Sequence, residues 1–180
     1  MIDWKNPTDF IFTAMMSIDP DYKVEIIDRL KAQAVKSMDD SSVKQSSVNY
    51  SLCTARSLSK KWYTDDTYDF LIDMVTHAVK SHFGNNIEPT DNWLLIYKGD
   101  DETLPHNHIK VGSSKVDNLV AIYYISAPEG SGALYFPKRD FHVNPEDNLL
   151  VVHRADEIHG VRANTTPDIE RICLVVNYNT

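Results

Sequence analysis

Three histidines and one arginine are the residues of this chain best placed to do chemistry. His106-Asn107-His108 sets two imidazoles two positions apart. On an extended strand they leave the same side, because the pleat repeats every second residue. His159 follows far downstream, after a series of short apolar runs. Strand ends that return it to the pair would aim three imidazoles at one point, and imidazole suits iron, zinc, copper and nickel. Three ligands on one face leave room for others opposite. Arg171 lies beyond, at the opening of the last apolar run. A buried guanidinium there would grip a carboxylate through two parallel hydrogen bonds. The set implies a metal enzyme whose co-substrate is an organic acid.

Blander readings apply to the neighbours. His142 and His153 are read as hydrogen-bonded structural residues, and His77 and His82 as surface or capping groups near a helix C-terminus. Arg171 has an alternative as a surface ion pair with Glu170 or Asp168, which is worth little. Arg154 and Arg162 compete as anchors, but only Arg171 opens the final apolar strand. The letters His-Asn-His suggest an HNH nuclease, yet that name refers to residues dispersed over a ββα-metal unit.

Size and charge narrow the class. The chain has 180 residues, 42% of them hydrophobic, and a formal net charge of −8. One domain is expected, residues 1–180, with 1–90 a helical support region and 91–180 the β core. The acidic balance argues against nucleic acid and anionic membranes, which need clustered Lys and Arg. Lys60-Lys61 reads as a solvated turn or helix end. Two cysteines, Cys53 and Cys173, make no disulfide framework, so a reducing, cytoplasmic compartment is the expectation. Asp3, Lys5 and Asp9 interrupt the N-terminus, so no signal peptide is read. No stretch approaches the roughly 20 apolar residues of a membrane helix.

The elements that must position the histidines are mostly strands. Phe10–Met16 reads as a short strand. Asp19 caps a helix with Pro20 at its first position, and Tyr22, Val24, Ile26, Ile27, Leu30, Ala34 and Val35 keep helical spacing to about Met38. The polar stretch from Asp39 to Ser47 reads as a loop, and a short strand or helix falls near Leu52–Leu58. A second helix, capped by Asp65 or Asp66 and closed by Gly84, presents Tyr68, Phe70, Leu71, Met74, Val75, Ala78, Val79 and Phe83. Thereafter Trp93–Lys98, Asn118–Ser126, Gly132–Phe136, Phe141–Val143, Leu149–His153 and Ile172–Asn177 are β-like, with turns between them. That pattern predicts a mainly β fold with flanking helices: a jelly roll, metal at one mouth, preceded by two N-terminal helices.

The second half resembles the 2-oxoglutarate- and Fe(II)-dependent oxygenases, in their prolyl 4-hydroxylase-like branch. That branch shows Tyr-x-Gly before a His-x-Asp motif, and here Tyr97-Lys98-Gly99 precedes Pro105-His106-Asn107-His108. It then shows an apolar strand ending in Tyr and Ser, a Gly-rich turn, and a strand ending Phe-Pro. These are Ile122-Tyr123-Tyr124-Ile125-Ser126, Ser131-Gly132 and Tyr135-Phe136-Pro137. His159-Gly160-Val161 matches the distal histidine, and Arg171 the basic residue of the last strand. The match covers about residues 93–178.

The resemblance implies a double-stranded β-helix core and a dioxygenase using Fe(II), 2-oxoglutarate and dioxygen. His106 and His159 would be iron ligands, and Arg171 would pair with the distal carboxylate of the keto acid. Tyr97 or Tyr124 would add a phenolic hydrogen bond. Tyr123 and Tyr124 alternate faces, and the resemblance selects Tyr124 for the pocket. Oxidative decarboxylation to succinate would accompany hydroxylation of a prolyl or other protein residue, or of a small molecule.

Two departures stand out. His108 occupies the position of the usual carboxylate, so either three neutral imidazoles hold the metal, or water or a carboxylate such as Asp100, Asp101 or Asp117 completes the set. Cys173 stands where many relatives place Ser or Thr against the keto acid, and a thiol is the weaker donor. Two rival functions follow: a three-histidine cupin-type dioxygenase without keto acid, and a non-catalytic module that binds a metal or small molecule.

Overall fold

The structure, a computed structural model, describes residues 2–38, 56–59, 66–109 and 118–179. The polar stretch 39–47, Cys53, Lys60-Lys61 and Asp117 lie outside them. Eleven strands and two helices form among the described residues. The N-terminal half carries β1 (Trp4–Thr8), β2 (Ile11–Met15), α1 (Pro20–Met38), β3 (Arg56–Ser59) and α2 (Thr67–Phe83). There follow β4 (Glu88–Lys98), β5 (Thr103–His106), β6 (Leu119–Ser126), β7 (Leu134–Phe136) and β8 (Phe141–Val143). The chain ends with β9 (Leu149–Arg154), β10 (His159–Val161) and β11 (Glu170–Asn179).

Both helices begin and end where the residues allow. Asp19 Oδ1 accepts the N–H groups of Asp21 and Tyr22 at 3.0 and 3.1 Å, while Pro20 sits where a missing N–H costs nothing. Asp66 occupies the N-cap of α2 without a side-chain bond, and Gly84 closes it at φ 104°, a conformation that favours glycine. The apolar face of α1 is narrower than its spacing predicts: Ile26 and Leu30 are buried, but Tyr22 and Val24 are exposed.

The strands make two sheets, antiparallel throughout. Seven strands run in the order β1-β2-β9-β6-β11-β4-β3, and four in the order β5-β10-β7-β8. The large sheet is covered on both faces, which explains near-continuous apolar strands such as β6 and β11. On one face Leu94, Tyr123, Leu174 and Val176 join Leu30 of α1 and Leu71 and Val75 of α2 in a single core. On the other, Leu95, Tyr124, Cys173 and Val175 pack with Leu134 and Phe136 of the small sheet. The period of two therefore sorts β11 into a structural face (Ile172, Leu174, Val176, Tyr178) and an inner face (Arg171, Cys173, Val175, Asn177).

Two helices do precede most of the strands, but the N-terminal half is not purely helical, and α2 is not an N-terminal element. Strands β1 and β2 come before α1, β3 falls between the helices, and all three join the large sheet. The run Trp4–Thr8 escapes a sequence reading because it is polar and contains Pro7. It is a strand because it lies on a sheet edge, where proline is tolerated, and its register with β2 is irregular. Among the described residues no helix is long and apolar enough to cross a membrane.

Candidate metal centre

The site begins with a strand register. β5 and β10 pair antiparallel, with His159 directly opposite His106. Opposite residues of an antiparallel pair hold their side chains within about 5.5 Å on one face. His108 lies two residues past His106, beyond the end of β5, and its N–H is held by the carbonyl of Ala155 at 2.9 Å. The ligand-capable atoms of His106, His108 and His159 all lie within 4.8 Å of one another. The strand expected under both His106 and His108 ends at His106, so His108 leaves from the loop beyond it, and β10 gave no strand signal of its own. Each is too short to show a period, and pairing rather than propensity makes them extended.

The hydrogen bonds decide which ring nitrogen is free. His106 Nδ1 faces the Leu104 carbonyl at 2.9 Å, and His159 Nδ1 faces the Glu157 carbonyl at 3.1 Å. His108 Nδ1 faces Asn177 Oδ1 at 2.7 Å. Each Nδ1–H donates to an oxygen, so each ring points an unprotonated Nε2 away from its tether. The Nε2 atoms of His106 and His108 stand 3.2 Å apart. Two lone pairs at that distance repel. Two imidazoles about 2.1 Å from one metal and near a right angle to each other sit about 3 Å apart. That pair thus fits one divalent metal, with His159 near enough to join it after a small movement of its ring.

Burial favours the neutral form of His106 and His159. It holds His106 below its ordinary range, against the opposing pull of the Leu104 carbonyl. It holds His159 well below, reinforced by the nearby His153, His108 and His106. His153 fits the structural reading: its Nδ1–H donates to the Arg154 carbonyl at 2.8 Å and its ring lies 4.4 Å from that of His159, the planes tilted by 60°. Burial pushes it down to about 3. His142 and His77 are exposed elsewhere, and His82 stacks on Trp4 at 4.7 Å. Among the described residues the cluster contains no carboxylate. Asp101 is engaged in its own turn, accepting the Lys98 N–H at 2.9 Å.

Arg171 forms the other end. It is 0% exposed, and its guanidinium lies 4.0 Å over the ring of Tyr97, its partner across β4 and β11. Nη1 donates to the carbonyl of Gly132, but Nε and Nη2 are buried without a partner. The surface ion pair is thereby excluded, and Glu170 is taken instead by Lys31 and Lys98. Leaving two donors of a buried cation unpaired costs several kcal/mol, on the order of 2–5. Two adjacent donors of the guanidinium are thus left open to an acceptor with two oxygens.

One pocket joins both ends. His106, His108 and His159 line it with Arg171, Tyr97 and Tyr124, and Cys173 and Thr103 also face it. Tyr97 shares a 2.7 Å hydrogen bond with Thr103. Burial pushes the Tyr124 phenol above its ordinary range, so it stays a donor. Tyr123 faces the helices instead, with its hydroxyl donating to Asn148 at 3.1 Å.

Three supporting residues escaped the sequence reading. Asn164 accepts the Gly132 N–H at 3.2 Å and donates to the Tyr97 carbonyl at 3.3 Å, fixing the carbonyl that holds Arg171. Its place among turn residues hid it. Thr103 gave no signal. Asn177 did: it is a polar residue in an apolar strand, at even spacing from Arg171.

No family model and no curated protein matches the chain. Solved structures do. The viral collagen prolyl hydroxylase of Paramecium Bursaria Chlorella virus-1, in complex with 2-oxoglutarate, is 13% identical over 96% of this chain and 97% of that one, with a TM-score of 0.69. A prolyl-4-hydroxylase of Pseudomonas putida is 13% identical over 96% and 93%, with a TM-score of 0.70. HygX of Streptomyces hygroscopicus, with nickel and 2-oxoglutarate bound, is 10% identical over 94% and 82%, with a TM-score of 0.63. At these identities what is shared is the fold, and this chain has the fold of the prolyl hydroxylases.

Proposed function

We propose that this chain is an Fe(II)- and 2-oxoglutarate-dependent dioxygenase that hydroxylates its substrate. One observation carries the reading: the two unpartnered nitrogens of buried Arg171 share a pocket with three imidazoles whose Nε2 atoms converge. His106, His108 and His159 hold the iron. Arg171 takes the distal carboxylate of the keto acid through Nε and Nη2, with Tyr97 behind it and the Tyr124 hydroxyl beside it. Bound iron supplies the redox chemistry that couples decarboxylation of the keto acid to oxidation of a C–H bond. Leu95, Ile122 and Val175 line the same pocket and exclude water, which strengthens the Arg171 ion pair. The two facing sheets then form a double-stranded β-helix, or jelly roll, and residues 1–180 form one domain completed by β1, β2 and β3. The substrate is a peptide residue or a small molecule.

The decisive experiment is anaerobic titration of the Fe(II)-loaded protein with 2-oxoglutarate. A visible charge-transfer band is expected, lost in Arg171→Ala and in His159→Ala. Iron bound without any band would overturn the keto-acid assignment.

The absence of a carboxylate from the described cluster favours one second reading. A three-histidine dioxygenase would act without keto acid, and Arg171 would bind the carboxylate of the substrate itself. Succinate release separates the two.

A further inference from the structure

The three histidines are not held alike. His106 and His159 donate Nδ1–H to main-chain carbonyls two residues away, those of Leu104 and Glu157. These tethers belong to the local backbone. His108 instead donates to a side chain from a distant strand, Asn177 Oδ1 at 2.7 Å. Asn177 is 3% exposed and lies on the inner face of β11, the face that carries Arg171. Six residues of strand separate the two, roughly 20 Å. One strand therefore reaches both ends of the pocket. The ring of His108 also stacks on Trp93, centroids 5.7 Å apart and planes 28° apart, so its tilt and its tautomer are both determined from the large sheet.

An asparagine amide can turn either edge to its partner. With oxygen toward His108, the proton stays on Nδ1 and Nε2 is free for a metal. With nitrogen toward His108, the proton moves to Nε2 and the ring is lost as a ligand. His106 Nε2, 3.2 Å from His108 Nε2, would then accept that proton's hydrogen bond. The structure has the oxygen toward the ring.

We propose that Asn177 is a positioning residue that makes His108 the third metal ligand, replacing a charged ligand with a neutral histidine–asparagine pair. The proposal rests on the reading of the three histidines as a metal site. Asn177 acts on the site through His108. An aspartate at 177 presents oxygen alone and locks the ligand tautomer, whereas a leucine cannot accept the Nδ1 proton.

The test measures Co(II) affinity of the intact chain by competition with a chelator, following the visible bands of the bound metal. Asn177→Leu should weaken affinity about 10- to 100-fold, the range for removing a hydrogen-bond partner of a ligating histidine. Asn177→Asp should bind more tightly than the wild type. Both substitutions are repeated in His108→Asp, where the ligand at 108 is itself a carboxylate. There Asn177→Leu should lose its effect, and Asn177→Asp should weaken binding by setting two carboxylates together. Should the leucine variant not fold, the opposite signs of Asn177→Asp in the two backgrounds carry the test. Equal effects in both backgrounds would make Asn177 a structural residue of β11 and overturn the proposal. If His106→Ala and His159→Ala bind Co(II) as the wild type does, the metal-centre reading fails, and this inference with it. If they lose it and Asn177→Leu does not, only the inference fails.

Discussion

At position 173 a thiol faces the pocket between Arg171 and the metal end, paired across the strands with Tyr124. Sulfur donates weakly. A hydroxyl of nearly the same size would give the keto acid a stronger partner, worth about 1 kcal/mol net, or roughly fivefold in affinity. Cys173→Ser should therefore lower the concentration of 2-oxoglutarate needed for half-maximal succinate release by about that factor. An unchanged or higher requirement would show that the thiol faces something other than the keto acid. Arg171 and His108 were legible as residues because their types are rare in apolar strands and at strand ends. Their partners were not. Nothing in Gly132 or Asn164 marks them as the support of an arginine far along the chain.

At the scale of elements, the turn before β7 bears on the anchor. Gly132 has no room for a side chain: a Cβ there would fall on the carbonyls of Arg162 and Ala163, both main-chain atoms that cannot swing away. Its own carbonyl receives Arg171. Gly132→Ala should cost about 1–3 kcal/mol by overpacking, a melting point lower by roughly 2–10 °C for a domain of this size. It should also raise the 2-oxoglutarate requirement, because the carbonyl moves with the turn. A melting point and requirement both at wild-type values would refute the argument. Gly160 is constrained too, a Cβ there meeting the main-chain carbonyl of Thr103 at 2.8 Å and the end of the Tyr135 side chain at 2.7 Å, so the glycine of His-Gly-Val serves the close approach of β10 to its neighbours.

For the whole molecule, the pocket lies between two sheets, and both ends of it depend on β11. A ligand that binds only the folded state raises stability by about 2.7 kcal/mol at a hundredfold excess over its Kd. Without oxygen, Fe(II) should raise the melting point, and 2-oxoglutarate should raise it further by roughly 5–10 °C. Arg171→Ala should keep the first increment and lose the second. A keto-acid increment that survives in Arg171→Ala would place the acid elsewhere.

What the sequence determined by itself is the set of candidate residues and most of the scaffold. The residue types of His106, His108, His159 and Arg171, both helices and the strands from Trp93 onward other than β5 and β10 follow from local rules of spacing, capping and alternation. What only the tertiary structure decided is which groups meet. The β5–β10 register sets His159 opposite His106. The large sheet brings Asn177 to His108 and Tyr97 beneath Arg171. β1 is a strand by virtue of an edge to pair with. Alternation assigns a side chain to a face, but the register between distant strands is a property of the packed sheets, and the distances on which a metal site depends come from that register.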